Sequence, residues 1–148
     1  AVNGPATVHA ELALLCDVVL AADHATFQDA PHYPSGLVPG DGVHVVWPML
    51  LGLNRGRYFL MTGQELTAQE ALALGVVNEV MPQAALLDRA WTLARKIRQR
   101  PALTTRLTRE AMLQQVKRAM LDQLPYGLAL EGLAACDHWP KTFPREKM

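Results

Sequence analysis

Residues 27–44 constrain the fold most, because this stretch sets three prolines and three glycines between apolar segments. Proline fixes φ and glycine permits left-handed backbone, so the composition predicts a rigid irregular loop rather than a helix or a strand. The same stretch carries two histidines and two aspartates. Loops held by a scaffold commonly present functional groups. We therefore predict that residues 27–44 form the site loop.

Length and charge narrow the class of protein. The chain has 148 residues, half of them hydrophobic, so it can bury a core. It begins inside an apolar stretch, and we expect it to be the second half of a longer fold. The formal net charge is zero, which argues against a nucleic-acid or anionic-membrane partner. Residues 1–50 contain no Lys or Arg, so the site loop has no cation of its own for phosphate.

The cysteine pattern and the hydropathy favour a cytoplasmic protein. Cys16 and Cys136 form neither a CxxC pair nor a metal-ligand spacing, so neither a disulfide framework nor a metal site is predicted. The most apolar run, residues 12–22, is interrupted by Asp17, and no signal peptide is recognisable. We expect a protein of the reducing cytoplasm that does not enter a membrane.

The pattern changes from α/β to all-helical after about residue 82. Thr67 and Glu70 form a capping box that predicts a helix start, and Gly75 predicts its end. Short strands are predicted at 17–21, 25–28 and 76–81, and further helices at 9–15, 42–51, 55–61, 86–97, 102–121 and 126–136, the last two separated by Pro125. We divide the chain into an α/β part (1–82), a helical assembly region (83–139) and a fraying tail (140–148).

His32 and Asp41 lie nine residues apart on the site loop. A carboxylate beside an imidazole can fix its tautomer and stabilise its charged form, as in the orienting half of a catalytic triad. Ser35 lacks the preceding glycine of a nucleophile elbow, so we interpret it as a turn serine and expect the dyad to activate water. The alternative is that Asp41 only caps the helix that follows.

Two further residues are candidates for the site. His9 lies where a short helix is predicted to begin, so its ring either donates to a developing oxyanion or only satisfies backbone groups there. The spacing of His9 and Glu11 matches part of a zinc-deaminase motif, but the Pro-Cys-x-x-Cys partner is absent. Glu131, a lone acid among apolar residues of the last predicted helix, either reaches the site or lies at a solvent seam.

Three other histidines are assigned to scaffold or surface. His44 and Trp47 follow Asp41 at helical spacing, which favours a helix face packed on the core over a pocket wall. We expect His24 and His138 to lie at the surface.

A series of motifs, in order and at the usual spacing, resembles the crotonase (enoyl-CoA hydratase/isomerase) superfamily. The motifs are residues 1–4, 11–13, 16–17, 27, 36–42, 60–63 and 68–80. The resemblance implies an α/β fold, namely the second half of a crotonase-like ββα spiral followed by C-terminal helices. It also implies assembly into a homotrimer or a dimer of trimers.

The chain departs from the hydratase pattern where the chemistry lies. Hydratases carry a triple-glycine run before the position of Glu11, whereas residues 6–10 contain no glycine. Glu11 matches the first hydratase glutamate, but the second falls at His32. These departures resemble the β-diketone hydrolase branch typified by 6-oxocamphor hydrolase, whose signature is similar to His9, residues 31–36, 38–42, 44–48 and 54–60.

The resemblance to this branch implies a hydrolase that cleaves a carbon–carbon bond of a cyclic β-diketone by a retro-Claisen reaction. His32 and Asp41 would then form the dyad that activates water, His9 would donate to the oxyanion, and Glu131 would be a supporting carboxylate. No metal or organic cofactor is implied. Two alternatives stay open: an enoyl-CoA hydratase or isomerase acting on acyl-CoA thioesters, and an inactive crotonase-like scaffold.

Overall fold

The computed structural model describes residues 1–138, so the predicted tail at 140–148 lies outside the described residues. Short strands occur before Pro82, and the described residues after Pro82 are mostly helical. The helices are α1 (Ala10–Leu14), α2 (Val43–Leu51), α3 (Leu53–Thr62), α4 (Ala68–Ala73), α5 (Gln83–Arg98) and α6 (Ala102–His138). The strands are β1 (Leu20–Ala22), β2 (Thr26–Phe27), β3 (Leu66–Thr67) and β4 (Glu79–Met81).

The strands pair in two short ladders. β1 lies parallel to β4, with Leu20 opposite Glu79, and β2 lies antiparallel to β3. Val2 bridges Ala21 and Ala6 bridges Phe27, both in parallel orientation, so the first residues extend both ladders. The strand predicted at 17–21 lies at Leu20–Ala22 in the structure, and those predicted at 25–28 and 76–81 are shorter, because pairing covers only 26–27 and 79–81. The mixed α/β class is confirmed.

Packing of α2 on α3 forms the centre of the core. The rings of Trp47 and Phe59 are completely buried, with their centroids 4.0 Å apart. Gly56 permits this close approach, because a β-carbon there would lie 2.6 Å from the Cα of Pro48. Pro48 lies inside α2 without ending it, and the break between the two helices falls at Gly52. The interface fixes the helix that directly follows the site loop.

The predicted capping box at the start of α4 is confirmed. The amide of Glu70 donates to the Thr67 hydroxyl, and the amide of Thr67 donates to the Glu70 carboxylate at 2.8 Å. Gly75 follows the helix end in the left-handed region, with φ of 74°. Both features depend only on residues close in sequence, which is why the sequence predicts them.

The predicted division of the last helical region at Pro125 is wrong, since α6 continues from Ala102 to His138 through this proline. A proline inside a helix removes one backbone hydrogen bond and costs about 3 kcal/mol. Contacts on both sides of Pro125 offset that cost: Met120 and Leu124 lie against Gly42, and Gly127 lies against Gly40. Tertiary packing on the site loop therefore overrides the local preference.

Gly40 of the site loop and Gly127 of α6 meet backbone to backbone. A β-carbon placed on Gly127 would overlap both the carbonyl oxygen of Gly40 and the ring of His44. A β-carbon placed on Gly40 would overlap the carbonyl of Gly127 and lie 2.8 Å from the Cβ of Glu131. Only glycine fits at either position. The contact brings Glu131, one helical turn after Gly127, to the edge of the loop.

None of the helices within residues 1–138 combines the length and the apolarity that a membrane crossing requires.

Gly127→Ala tests this contact. We expect the substitution to lower the free energy of unfolding by about 1–3 kcal/mol, the usual cost of overpacking. Gly132→Ala is the matched control on the same helix, because a β-carbon there meets nothing within 4 Å. It should leave stability unchanged or raise it by up to about 1 kcal/mol, since alanine is the better helix former. Urea unfolding of both variants gives the comparison, and equal effects would contradict the packing described.

Candidate active site

The site loop is held in one irregular conformation by its own hydrogen bonds. The amides of Ser35 and Leu37 both donate to the carbonyl oxygen of His32, at 2.8 and 3.0 Å. A 3₁₀ turn spans Tyr33–Ser35, and Gly36 follows in the left-handed region. The Ser35 hydroxyl donates to the carbonyl of Ala30 at 3.0 Å, so Ser35 is a turn serine, as predicted. This backbone fixes the position of the His32 side chain.

His32 is buried, and Asp29 holds one of its ring nitrogens. Nδ1 of His32 lies 2.6 Å from Oδ1 of Asp29, and the two side chains are only 4% and 1% exposed. Asp41, the carboxylate predicted to orient this ring, lies at Nε2 instead, and its catalytic role with His32 stays a prediction. Asp29 was missed because the contact depends on the folded course of the loop. The sequence feature that could have indicated Asp29 is its position three residues before His32.

Asp41 lies on the other side of His32 and joins the two imidazoles. Its Oδ2 is 3.4 Å from Nε2 of His32 and 3.1 Å from Nδ1 of His9. The alternative that Asp41 caps α2 is wrong, because Gly42 occupies the cap position and no side chain accepts there. Within the described residues the second oxygen of Asp41 is buried without a hydrogen-bond partner. Asp41 therefore faces the site from the Nε2 side.

His9 stands at the start of α1 in an unusual backbone conformation. Its φ of 50° makes it the one non-glycine residue with positive φ among residues 1–138. Such a conformation is costly for a residue with a β-carbon and is common at functional sites. Its ring is half exposed and meets the ring of His32 edge to face, with centroids 6.3 Å apart. The structure thus brings His9 beside the other candidates.

Glu11 is an additional buried carboxyl at the site. Its Oε1 lies 3.1 Å from Nδ1 of His9, and its Oε2 has no partner within the described residues. Burial raises the pKa of Glu11, a backbone hydrogen bond partly opposes this, and the nearby charge of Asp41 raises the pKa further. Glu11 consequently holds a proton at a higher pH than an exposed glutamate does.

Glu131 reaches the site from α6. Its Oε1 lies 4.0 Å from Nε2 of His32, and one quarter of its side chain is exposed. Burial by itself lowers the pKa of His32, but the hydrogen bond and charge of Asp29, with the charges of Asp41 and Glu131, outweigh burial and raise the pKa above its ordinary value. Of the two alternatives for Glu131, reaching the site or lying at a solvent seam, its position beside His32 favours the first.

The remaining histidines have other surroundings. His44 has its Nε2 3.3 Å from the carbonyl oxygen of Gln123 and lines a cavity, whereas Trp47 is buried in the core. The prediction that both pack on the core holds only for Trp47. His24 lies at the surface beside Asp23, as predicted. The side chain of His138 lies outside the described residues.

Two groups in the site have spacings that would suit a divalent cation. They are His9, Glu11 and Asp41, and His32, Asp41 and Glu131, each with ligand atoms within 4.8 Å of one another. Imidazole and carboxylate are ordinary ligands of such ions. Each imidazole already pairs with a carboxylate, so ion pairing accounts for both groups and we assign neither to a metal.

Two of the cavities in the described part of the chain bear on ligand binding. One of about 340 Å³ lies between the site loop, α2 and α3, and its wall is mostly apolar apart from His44, Arg57 and Gln123. The loop that carries His32 therefore also bounds a space of the size that small organic ligands occupy. The other, of about 520 Å³, lies between α5 and α6 and is lined by the basic residues Lys96, Arg100 and Arg109.

Comparison with known proteins gives one consistent family. A β-diketone hydrolase from the cyanobacterium Anabaena sp. PCC 7120, solved with (S)-3-oxocyclohexyl acetic acid, is 51% identical; the match covers 90% of this chain and 54% of that one, with a TM-score of 0.89. Carnitinyl-CoA dehydratase of Salmonella arizonae is 39% identical over 71% of this chain and 42% of its own length. 2,3-Dehydroadipyl-CoA hydratase of Escherichia coli is 35% identical over 88% of this chain and 50% of its own length.

The chain spans about half the length of these relatives. The TM-score of 0.89 to the cyanobacterial structure, together with the family match, shows that the chain has the crotonase fold. The family model described as enoyl-CoA hydratase/isomerase matches residues 1–131, which include every site residue named above. The chain therefore belongs to the enoyl-CoA hydratase/isomerase (crotonase) family.

Proposed function

We propose that this chain carries the catalytic residues of a hydrolase that cleaves a carbon–carbon bond of a cyclic β-diketone by a retro-Claisen reaction. The observation that carries the proposal is the setting of His32: one ring nitrogen is tied to buried Asp29, and the other faces two carboxylates. An imidazole held in this way is suited to activating water. The 51% identical cyanobacterial β-diketone hydrolase supports the same substrate class.

Water activation uses the adjacent acceptor atoms of His32 and Asp41. Nε2 and Oδ2 are 3.4 Å apart, so one water can donate a hydrogen bond to each. Its lone pair is then directed away from both acceptors, toward a bound carbonyl. As the water oxygen attacks the carbonyl carbon, His32 accepts the proton, and the three surrounding carboxylates stabilise the imidazolium.

The attacked carbonyl oxygen becomes an oxyanion, and we assign its hydrogen-bond donor to His9. Nδ1 of this ring lies within 3.1 Å of both Glu11 and Asp41, which leaves Nε2 as the nitrogen available to substrate. Nε2 can donate to the oxyanion whenever it carries a proton. A donor placed where charge develops lowers the barrier of the step in which charge forms.

Bond cleavage follows from the second carbonyl of the substrate. The tetrahedral intermediate re-forms a carbonyl, and the electron pair of the carbon–carbon bond moves onto the neighbouring carbon as an enolate. Imidazolium His32 then returns its proton to that carbon, which gives a keto acid. Water supplies all the atoms added, so the reaction needs no metal or organic cofactor.

A hydratase or isomerase acting on acyl-CoA thioesters is the second candidate. It is favoured by Glu11, a buried carboxyl with raised pKa at the position of the first hydratase glutamate. Lys96 and Arg100 in the α5–α6 cavity would suit CoA phosphates, whereas Arg109 there pairs with Asp17. Against it stands His32 at the position of the second glutamate. We also propose, from the family resemblance, a cytoplasmic homotrimer or dimer of trimers.

His32→Ala tests the proposed base. We expect turnover of a bicyclic β-diketone by the intact protein, followed by the loss of its ultraviolet absorbance, to fall by about 10²–10⁴-fold, the usual contribution of a general base. His24→Ala is the control, because His24 is an exposed histidine with an aspartate neighbour outside the site. Hydration of a short enoyl-CoA is measured in parallel.

A His32→Ala variant within tenfold of the parent protein would rule out His32 as the base. Turnover of the thioester alone would favour the hydratase, and an intact oligomer that turns over neither substrate would favour the inactive scaffold.

The raised pKa of His32 predicts the direction of the pH dependence. A general base must be neutral, so kcat/KM should fall as pH drops through that pKa, which lies above the ordinary histidine value.

The free energy of unfolding should change with pH in the opposite sense. The stabilisation from protonated His32 is complete below the unfolded-state pKa and is lost as pH rises through the folded-state pKa. Glu131→Gln removes one charge that raises the pKa of His32. The acid limb of the pH profile of kcat/KM should therefore move to lower pH. An unmoved limb would contradict the assignment to His32.

A further inference from the structure

Asp29 is a buried acid in a position that stability alone does not explain. Its side chain is 1% exposed, and within the described residues its Oδ1 accepts a hydrogen bond from Nδ1 of the His32 ring. The second oxygen, Oδ2, is buried without a partner. A buried carboxylate is costly unless charge and hydrogen bonds compensate it. Here the compensation comes from one imidazole nitrogen.

A neutral imidazole has a single proton, and carboxylates on both sides of His32 compete for it. On the Nδ1 side Asp29 is 2.6 Å away; on the Nε2 side Asp41 is 3.4 Å away and Glu131 is 4.0 Å away. The shorter and more deeply buried contact is the stronger one, because hydrogen bonds strengthen where water is excluded. The proton of neutral His32 is therefore held on Nδ1.

We propose that Asp29 is the positioning residue of this site, which fixes the tautomer of His32 so that Nε2 presents a lone pair to water. If the proton lay on Nε2, it would point to Asp41 and Glu131, and no base would face the water. Asp41 is then free to bind that water and to pair with His9. The kinetic part of this inference rests on the proposed role of His32 as the base.

Asp29→Asn is the variant that tests the assignment. An amide of the same shape can donate to Nδ1, which drives the His32 proton to Nε2. We expect kcat for the diketone to fall by about 10²-fold or more with KM nearly unchanged, as for other orienting carboxylates. The acid limb should also move to lower pH, because one of the charges around His32 is removed while Asp41, Glu131 and the neighbouring His9 stay.

Asp23→Asn is the matched control. Asp23 also pairs with a histidine, His24, at 3.3 Å, but both side chains are about half exposed and lie outside the site. The change in charge is identical. We expect neither kcat nor the acid limb to move in this variant.

Nitrogen-15 NMR of the histidine rings gives a readout that needs no substrate. In the unsubstituted intact protein, above the acid limb, His32 should show a protonated Nδ1 and a bare Nε2, and Asp29→Asn should reverse them. A protonated Nε2 in the unsubstituted protein would overturn the inference, as would an Asp29→Asn variant with unchanged kcat and acid limb. A protonated Nδ1 in a protein that does not turn over diketone would instead support the inference and contradict the proposed function.

Discussion

The contact between Gly40 and Gly127 is the constraint on which the site depends. It brings the backbone of the site loop against α6 at a separation that no side chain permits. The contact fixes α6 one turn before Glu131, whose Oε1 lies 4.0 Å from Nε2 of His32. The same packing holds α6 continuous through Pro125. One close approach of two backbones therefore determines both the course of the longest helix and the composition of the site.

The second constraint is electrostatic. Four carboxylates, Glu11, Asp29, Asp41 and Glu131, surround the imidazoles of His9 and His32 in a partly buried space. All four cannot be ionised beside two neutral rings without a large cost, because the charges repel where little water screens them. The directions of shift fit this reasoning: the pKa of Glu11 and the pKa of His32 are both raised. The site thus favours the protonated forms of Glu11 and His32.

Features with a local cause could be predicted from the residues alone, whereas features that depend on distant packing could not. The capping box of Thr67 and the turn role of Ser35 depend on residues within five positions, and both were predicted. The motifs of the family placed His9 and Glu131, far apart in sequence, as candidates for one site. The continuity of α6 depends on packing against a distant loop, and the Asp29 contact depends on how that loop turns after Phe27. Neither the continuity of α6 nor the contact of Asp29 with His32 is indicated by the periodicity or the composition of the sequence.

The exchange of a glutamate for His32 has a physical consequence for the chemistry. An imidazole offers two nitrogens, so it acts as a base in one direction only when a neighbour fixes the other nitrogen. A histidine that acts as a base here therefore needs a hydrogen-bond acceptor on the far side of its ring. Asp29 lies there, in the loop that precedes the histidine. The loop and the base have to be considered as one unit.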